Sequence, residues 1–206
     1  KSNILFNKSK KFNSLREKLL KNFNLSANVK KNNESLKHID PLVLEFSYKY
    51  KNLSNNISYL EHDNNLIKVD VIDGKISNIF NYKDDFTKIN NIDSNNVLAE
   101  NSFLDFQDNF SDDYIFNLNS LMLNSGYEIN VGKNQESNIF IKNNISEQDL
   151  TIFQKNIITC YKNSKVTIIE ECTSNKKSNN NIVNFINIEE GANVTHLIFQ
   201  NNEHQA

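Results

Sequence analysis

Glycine and proline are almost missing from this chain: 4 Gly and 1 Pro among 206 residues. The usual residues for sharp corners are therefore scarce. Asparagine is the counterpart, with 40 copies; it favours turns, tolerates the left-handed conformation and substitutes for Gly at strand corners. Codon bias in an AT-rich genome would enrich Asn, Lys and Ile on the surface equally well, and that is the reading adopted here. Cys160 and Cys172 are the only cysteines. Two thiols without CxxC or Cys/His spacing make neither a disulfide framework nor a metal site, which fits a reducing compartment such as the cytoplasm. Charge of one sign is lacking too: the net charge is −2 and the pI about 6.1, so nucleic acid and anionic membranes are poor partners. No apolar run approaches the roughly 18–20 residues that span a bilayer. The basic start, KSNILFNKSKKFNS, lacks the apolar core of a secretory signal, while a cut organelle transit segment stays open. There is no Gly-rich phosphate loop, serine elbow or HExxH, so nucleotide binding and hydrolysis have no support.

What is present is a pattern that occurs twice. The stretch IITCYKNSKVTIIEE, Ile157 to Glu171, aligns with FINIEEGANVTHLIFQ, Phe185 to Gln200, at an offset of 28 residues. Asn163 falls on Gly191, Ser164 on Ala192, Val166 on Val194 and Thr167 on Thr195. Each copy reads as strand, tight turn and strand, with CTSNKKSNNN between the copies. A helix-free unit of this length suggests a solenoid, in which each rung buries its apolar row against the next. Consecutive hairpins in a sandwich would give the same trace.

Further upstream, Phe12, Leu15, Leu19, Leu20 and Phe23 form the apolar stripe of a helix over Lys10 to Asn24, with Arg16, Glu17, Lys18 and Lys21 on the wet side. In NESLKHIDPLVLEFSYKY a turn is expected at Asp40-Pro41, and the periodicity after it fits strand or helix. LIKVDVIDGKISNIF alternates and turns at Asp73-Gly74, a strong hairpin cue. Residues 81–96, rich in Asp and Asn, read as a surface loop. Asp112 caps a helix carrying Ile115, Leu118, Leu121 and Met122, which stops at Ser125-Gly126. Strands follow at Tyr127, Ile129 and Val131 and at Ile139 and Ile141.

Several of these stretches resemble one family. Ile115, Leu118-Asn119, Gly126, Ile129 and Val131 resemble the F-x-x-L-N … G-x-x-I-x-V stretch of the SufD-like subunits (SufB/SufD family) of the SUF iron–sulfur cluster assembly scaffold. IKVDVIDGKIS resembles the family's V-x-V-D-G-x strand pair, and CYKNSKVTIIEE … NIEEGANVTHLIFQ the start of its β-helix. KNNESLKHIDPL is similar to the family's opening: Glu34 and Lys37 match, whereas Leu36, His38 and Ile39 stand where the family has Trp, Tyr and Thr, and its Gly-Leu-Pro is missing. The resemblance implies a mixed, mainly β fold: an N-terminal α/β cap over 1–124, then the beginning of a right-handed parallel β-helix over 125–206. The family's further rungs and C-terminal helices have no counterpart here. It also implies a non-catalytic scaffold that pairs with SufB-like and SufC-like proteins, in the cytoplasm or a plastid-type organelle. This segment binds no cofactor itself, although the family's complex assembles an iron–sulfur cluster. The cysteine that receives sulfur lies on SufB, and a histidine proposed as a cluster ligand lies in the C-terminal half of SufD; neither maps onto this chain.

No catalytic, cofactor or metal residue is assigned. Cys160, in an alternating strand, reads as core; Cys172, at the edge of a polar loop, reads as more exposed but not activated. His196 falls on the row of Ile168, as an inward hydrogen-bonded His or a surface one in a slipped register. His38, His62 and His204 stand alone. Glu170-Glu171 and Glu189-Glu190 read as solvated strand edges. As catalytic carboxylates they would instead mark a carbohydrate-active or adhesive β-solenoid.

Overall fold

The computed structural model describes residues 8–26, 57–60, 66–82, 86–93, 100–104, 114–174 and 178–202. Helix α1 spans Lys10–Ser26 and α2 Tyr114–Met122, with residues 100–104 helical between them. The strands are β1 (Ser58–Leu60), β2 (Ile67–Ile72), β3 (Lys75–Phe80), β4 (Thr87–Asn91), β5 (Tyr127–Val131), β6 (Glu136–Asn144), β7 (Thr151–Cys160), β8 (Lys165–Ser174), β9 (Asn179–Ile188) and β10 (Asn193–Asn202). They form a six-stranded sheet, ordered β1-β3-β2-β6-β8-β10, and a four-stranded one, ordered β4-β5-β7-β9. The turn expected at Asp40-Pro41, the capping Asp112 and the opening stretch with Glu34 and Lys37 lie outside the described residues.

From β5 onward each strand enters the sheet opposite to its predecessor, and each from β7 pairs in parallel with the strand two before it. Val194 lies beside Val166 and Thr195 beside Thr167, the register that the 28-residue offset requires. A third copy precedes the two visible in sequence: β5, a turn and β6 pair with β7 and β8 at an offset of 29, as in Glu128 with Ile157 and Glu136 with Lys165. The polar separator between the later copies is mostly strand, since β8 runs to Ser174 and β9 starts at Asn179.

Alternation makes one side of every strand face the opposite sheet. Those rows are aliphatic: Ile129–Ile158–Ile186 in one sheet, Ile67–Ile139–Ile168 in the other. With Val69, Val71, Ile76, Ile79 and Ile89 they form the main core. A second core lies between the four-stranded sheet and the helices, with Phe12, Ile92, Phe103, Phe116, Leu123, Ile157 and Phe185. Strand β7 is therefore covered on both faces and is buried along nearly its whole length.

The corners show what asparagine does. Asn134, Asn163 and Gly191 occupy equivalent turn positions, all with positive φ, at 58°, 58° and 73°. Asn163 Nδ2 donates to Asn134 Oδ1 at 3.2 Å. The turns also continue the ladder between units: Asn134 N donates to Lys162 O at 3.0 Å and Asn163 N to Glu190 O at 3.1 Å. Codon bias alone does not account for these asparagines, which hold a conformation that L-residues other than Asn and Asp mostly avoid. Gly126 answers a different need. A Cβ there would run into the Lys155 carbonyl oxygen of the neighbouring strand.

The Asp73-Gly74 hairpin forms as expected, with φ of 52° and 83°. Ser146 donates from N and Oγ to the Asp73 carboxylate, at 2.8 and 2.6 Å, tying that turn to the β6–β7 connection. β2 then pairs in parallel with β6, so the hairpin extends the same sheet. Two expectations need correction. The stretch expected as a loop over 81–96 contains β4, whose Thr87 and Ile89 are buried and whose Ile89 pairs with Ile129. On α1, Arg16 is buried rather than wet, its guanidinium 4.7 Å over the Phe12 ring and donating to Asn13, while Leu20 is exposed. The helix is rotated relative to the ideal stripe, and burial lowers Arg16 to about 10.

The corner conformation sets an expected outcome. Asn163→Ala should cost about 1–2 kcal/mol in chemical denaturation, and Asn163→Gly less than half of that. Equal losses would mean that the side-chain bond to Asn134, not the backbone, is what matters.

Candidate functional site

On β8 the inward row reads Val166, Ile168, Glu170, Cys172. Glu170 is 1% exposed, between Ile141 and Ile198 on the flanking strands. The expectation of a solvated edge is overturned, because residue 170 lies mid-strand on the inward parity rather than beside a turn. A carboxylate in that position must be hydrogen-bonded. Asn143 Nδ2 donates to its Oε1, and His196 Nε2 lies 3.1 Å from Oε2. His196 indeed pairs with Ile168 and is the inward, hydrogen-bonded alternative, not the slipped surface one.

Cys172 lies on the same row, its Sγ 3.8 Å from Glu170 Oε1 and 3.9 Å from Asn143 Nδ2. It belongs to β8 rather than to a loop and is only partly exposed. Burial, reinforced by the Glu170 charge, pushes its thiol up to about 11. The group is protonated at neutral pH and is a poor nucleophile. Cys160 is fully buried among Val131 and Ile188, and burial pushes it to about 11 as well. The Tyr127 hydroxyl is also buried; burial and then the Glu170 and Cys172 charges raise its pKa well above the ordinary phenol, against a smaller opposing pull from Asn143.

Glu189 and Glu190 lie at the exposed turn after β9. Glu189 Oε2 accepts from Lys162 N at 3.0 Å, and Glu190 Oε2 pairs with Lys162 Nζ at 2.7 Å. The two acidic pairs thus have separate partners, and Glu170 is inaccessible to a polymer. No group of three or more His, Cys, Asp or Glu able to hold a metal occurs among the described residues. His38, His62 and His204 lie outside them.

Lys155 is the residue that sequence reading missed. It faces the helical layer from β7, fully buried, between Phe153 and Ile157. Its Nζ lies 4.0 Å from the Phe116 ring, 5.6 Å from Phe185 and 5.9 Å from Phe103, and donates to Ser120 Oγ. It has no carboxylate partner among the described residues. Burial alone lowers its pKa to about 7. Its sequence neighbours, Gln154 and Asn156, are polar, so the chain carries no local signal for it.

Two outcomes follow from these burials. Between about pH 7 and 10 the unfolded chain binds a proton at Lys155 that the folded chain does not, so stability should rise with pH across that window. Lys155→Met should flatten the rise and stabilise the protein at pH 7; a slope unchanged by the substitution would contradict the burial. His196→Ala should cost about 2–3 kcal/mol by taking a partner from a buried carboxylate. Glu170→Leu in that background should recover most of it, as Leu suits the aliphatic row. Denaturation of the single and double variants decides.

Comparison with known proteins places this region. No curated protein and no solved structure matches the chain. Residues 140–206 match the family model described as SUF system FeS cluster assembly, SufBD core domain. The matched span takes in most of β6, all of β7 to β10, and with them Glu170, Cys172 and His196. The hairpin and the α2–β5 stretch, which also resembled the family, precede it. Over the last third of the chain, the match supports a relationship to the SufB/SufD family.

Proposed function

We propose that this chain is a non-catalytic, SufD-like scaffold component of SUF-type iron–sulfur cluster assembly. One coincidence carries the reading: the span that matches the SufBD core domain contains β7 to β10, the strands that pair in parallel at an offset of 28 residues. We read that stack as the start of a right-handed parallel β-helix. SufB-like and SufC-like proteins are the partners this implies, and the cytoplasm the compartment. Both thiols are held protonated, which suits a member that does not itself accept sulfur. The iron–sulfur cluster is cargo of the assembly, not a group resident on these residues. The buried Glu170 and its separation from the Glu189 turn leave a polysaccharide-cleaving carboxylate pair without geometric support.

Affinity purification of the full-length product from its native cell should retain SufB-like and SufC-like proteins at stoichiometric levels; a product that retains neither overturns the scaffold reading. Within such a complex, Cys160→Ser and Cys172→Ser should leave the rate of cluster formation unchanged within about twofold. A loss of an order of magnitude in either would identify a sulfur-handling thiol.

A further inference from the structure

A groove of about 310 Å³ opens between α2 and the edge strand β9, at the lower end of small-ligand pocket sizes. Its apolar walls are Ile115, Phe116, Ile182, Val183 and Phe185. Of the polar groups nearby, Asn181 O and Oδ1 already accept from Asn119 Nδ2, and Asn184 Oδ1 from Asn156 Nδ2. The walls therefore offer a tail-sized apolar space with few free polar atoms. Two of them, Phe116 and Phe185, are rings that also enclose the Lys155 amine. Those rings meet edge to face, with centroids 6.0 Å apart.

The amine lies against these same rings and, among the described residues, has ring faces and the Ser120 hydroxyl for company. A buried ammonium without a countercharge is costly. Cation–π contact with three rings offsets a part of that cost. An anionic group entering the groove would supply the missing charge in a low-dielectric setting, where a charge-assisted hydrogen bond is strong. A cationic ligand would meet repulsion at the same point, and a neutral one would gain only apolar contact.

We propose that the groove between α2 and β9 binds a small amphiphile with a short aliphatic tail and a carboxylate head, the tail between Ile115 and Val183 and the head on Lys155. The Phe116 ring, at once wall of the groove and lid of the amine, turns aside to admit the head. The site stands apart from the scaffold reading: Lys155 and Phe116 belong to the packing against the helical layer, not to the aliphatic rows between the sheets. Binding fixes the ammonium form, so it takes up a proton from solution at neutral pH.

Octanoate is the probe, with 1-octanol as its neutral counterpart, titrated calorimetrically into the full chain at pH 7.5 in two buffers of different ionisation heat. Octanoate should bind about tenfold or more tightly than octanol, with fractional proton uptake. Lys155→Met should abolish that preference and the uptake while leaving octanol binding in place. Ile115→Trp, which fills the groove from the helix side, should remove both ligands. Equal affinity for the two probes overturns the proposal, as does a preference that survives Lys155→Met, or no binding of either probe.

Discussion

Parallel, in-register hydrogen bonding between each strand from β5 onward and the strand two places on is the constraint from which the rest of this molecule follows. The corners obey it as well as the strands: Lys165 N donates to Gln135 O and Asn193 N to Ser164 O, both at 2.8 Å. Once backbone atoms repeat in this way, every side chain inherits a row, and neighbours along a row must be compatible in size and polarity. Aliphatic rows satisfy that requirement without further cost. A single residue out of character, such as Glu170 between Ile141 and Ile198, obliges nearby residues to supply donors. Asn143 and His196 are the answer that the sequence provides.

That obligation explains the chemistry of the interior. Burial, with the carboxylate adding to it, holds the adjacent Cys172 thiol in its protonated form and disfavours ionisation of Tyr127. Glu170, Asn143, His196 and Cys172 inside the stack are engaged with one another, and the outer face carries an ionisable amine of its own, Lys155. The likeness of residues 140–206 to the SufBD core domain falls on the strands that carry Glu170, Cys172 and His196.

Legibility in the sequence followed a simple division. Features set by local backbone geometry could be read: the Asp73-Gly74 turn, the equivalence of Asn163 and Gly191, and α1. The first of the three units escaped because its offset is 29 rather than 28, and its turn, Gly132 to Gln135, shares no small pair with the others. β4 escaped because only Thr87, Ile89 and Ile92 mark it within a polar stretch. Long charged side chains were the hardest. Arg16, Lys155 and Glu170 are buried by what packs over them in three dimensions, and nothing at their own positions announces it.

The β2–β3 hairpin bears on how the chain reaches this state. β2 bonds to β3 across a two-residue turn and on its other edge to β6, more than 70 positions away. Closing that distance is the single large entropic step, and its cost grows only logarithmically with length. Each strand from β7 on closes a loop of fewer than 30 residues onto an edge that already exists. The molecule should therefore nucleate once, at the hairpin, and then elongate one strand at a time toward β10, a polarity of assembly set by the only antiparallel partner that β2 possesses.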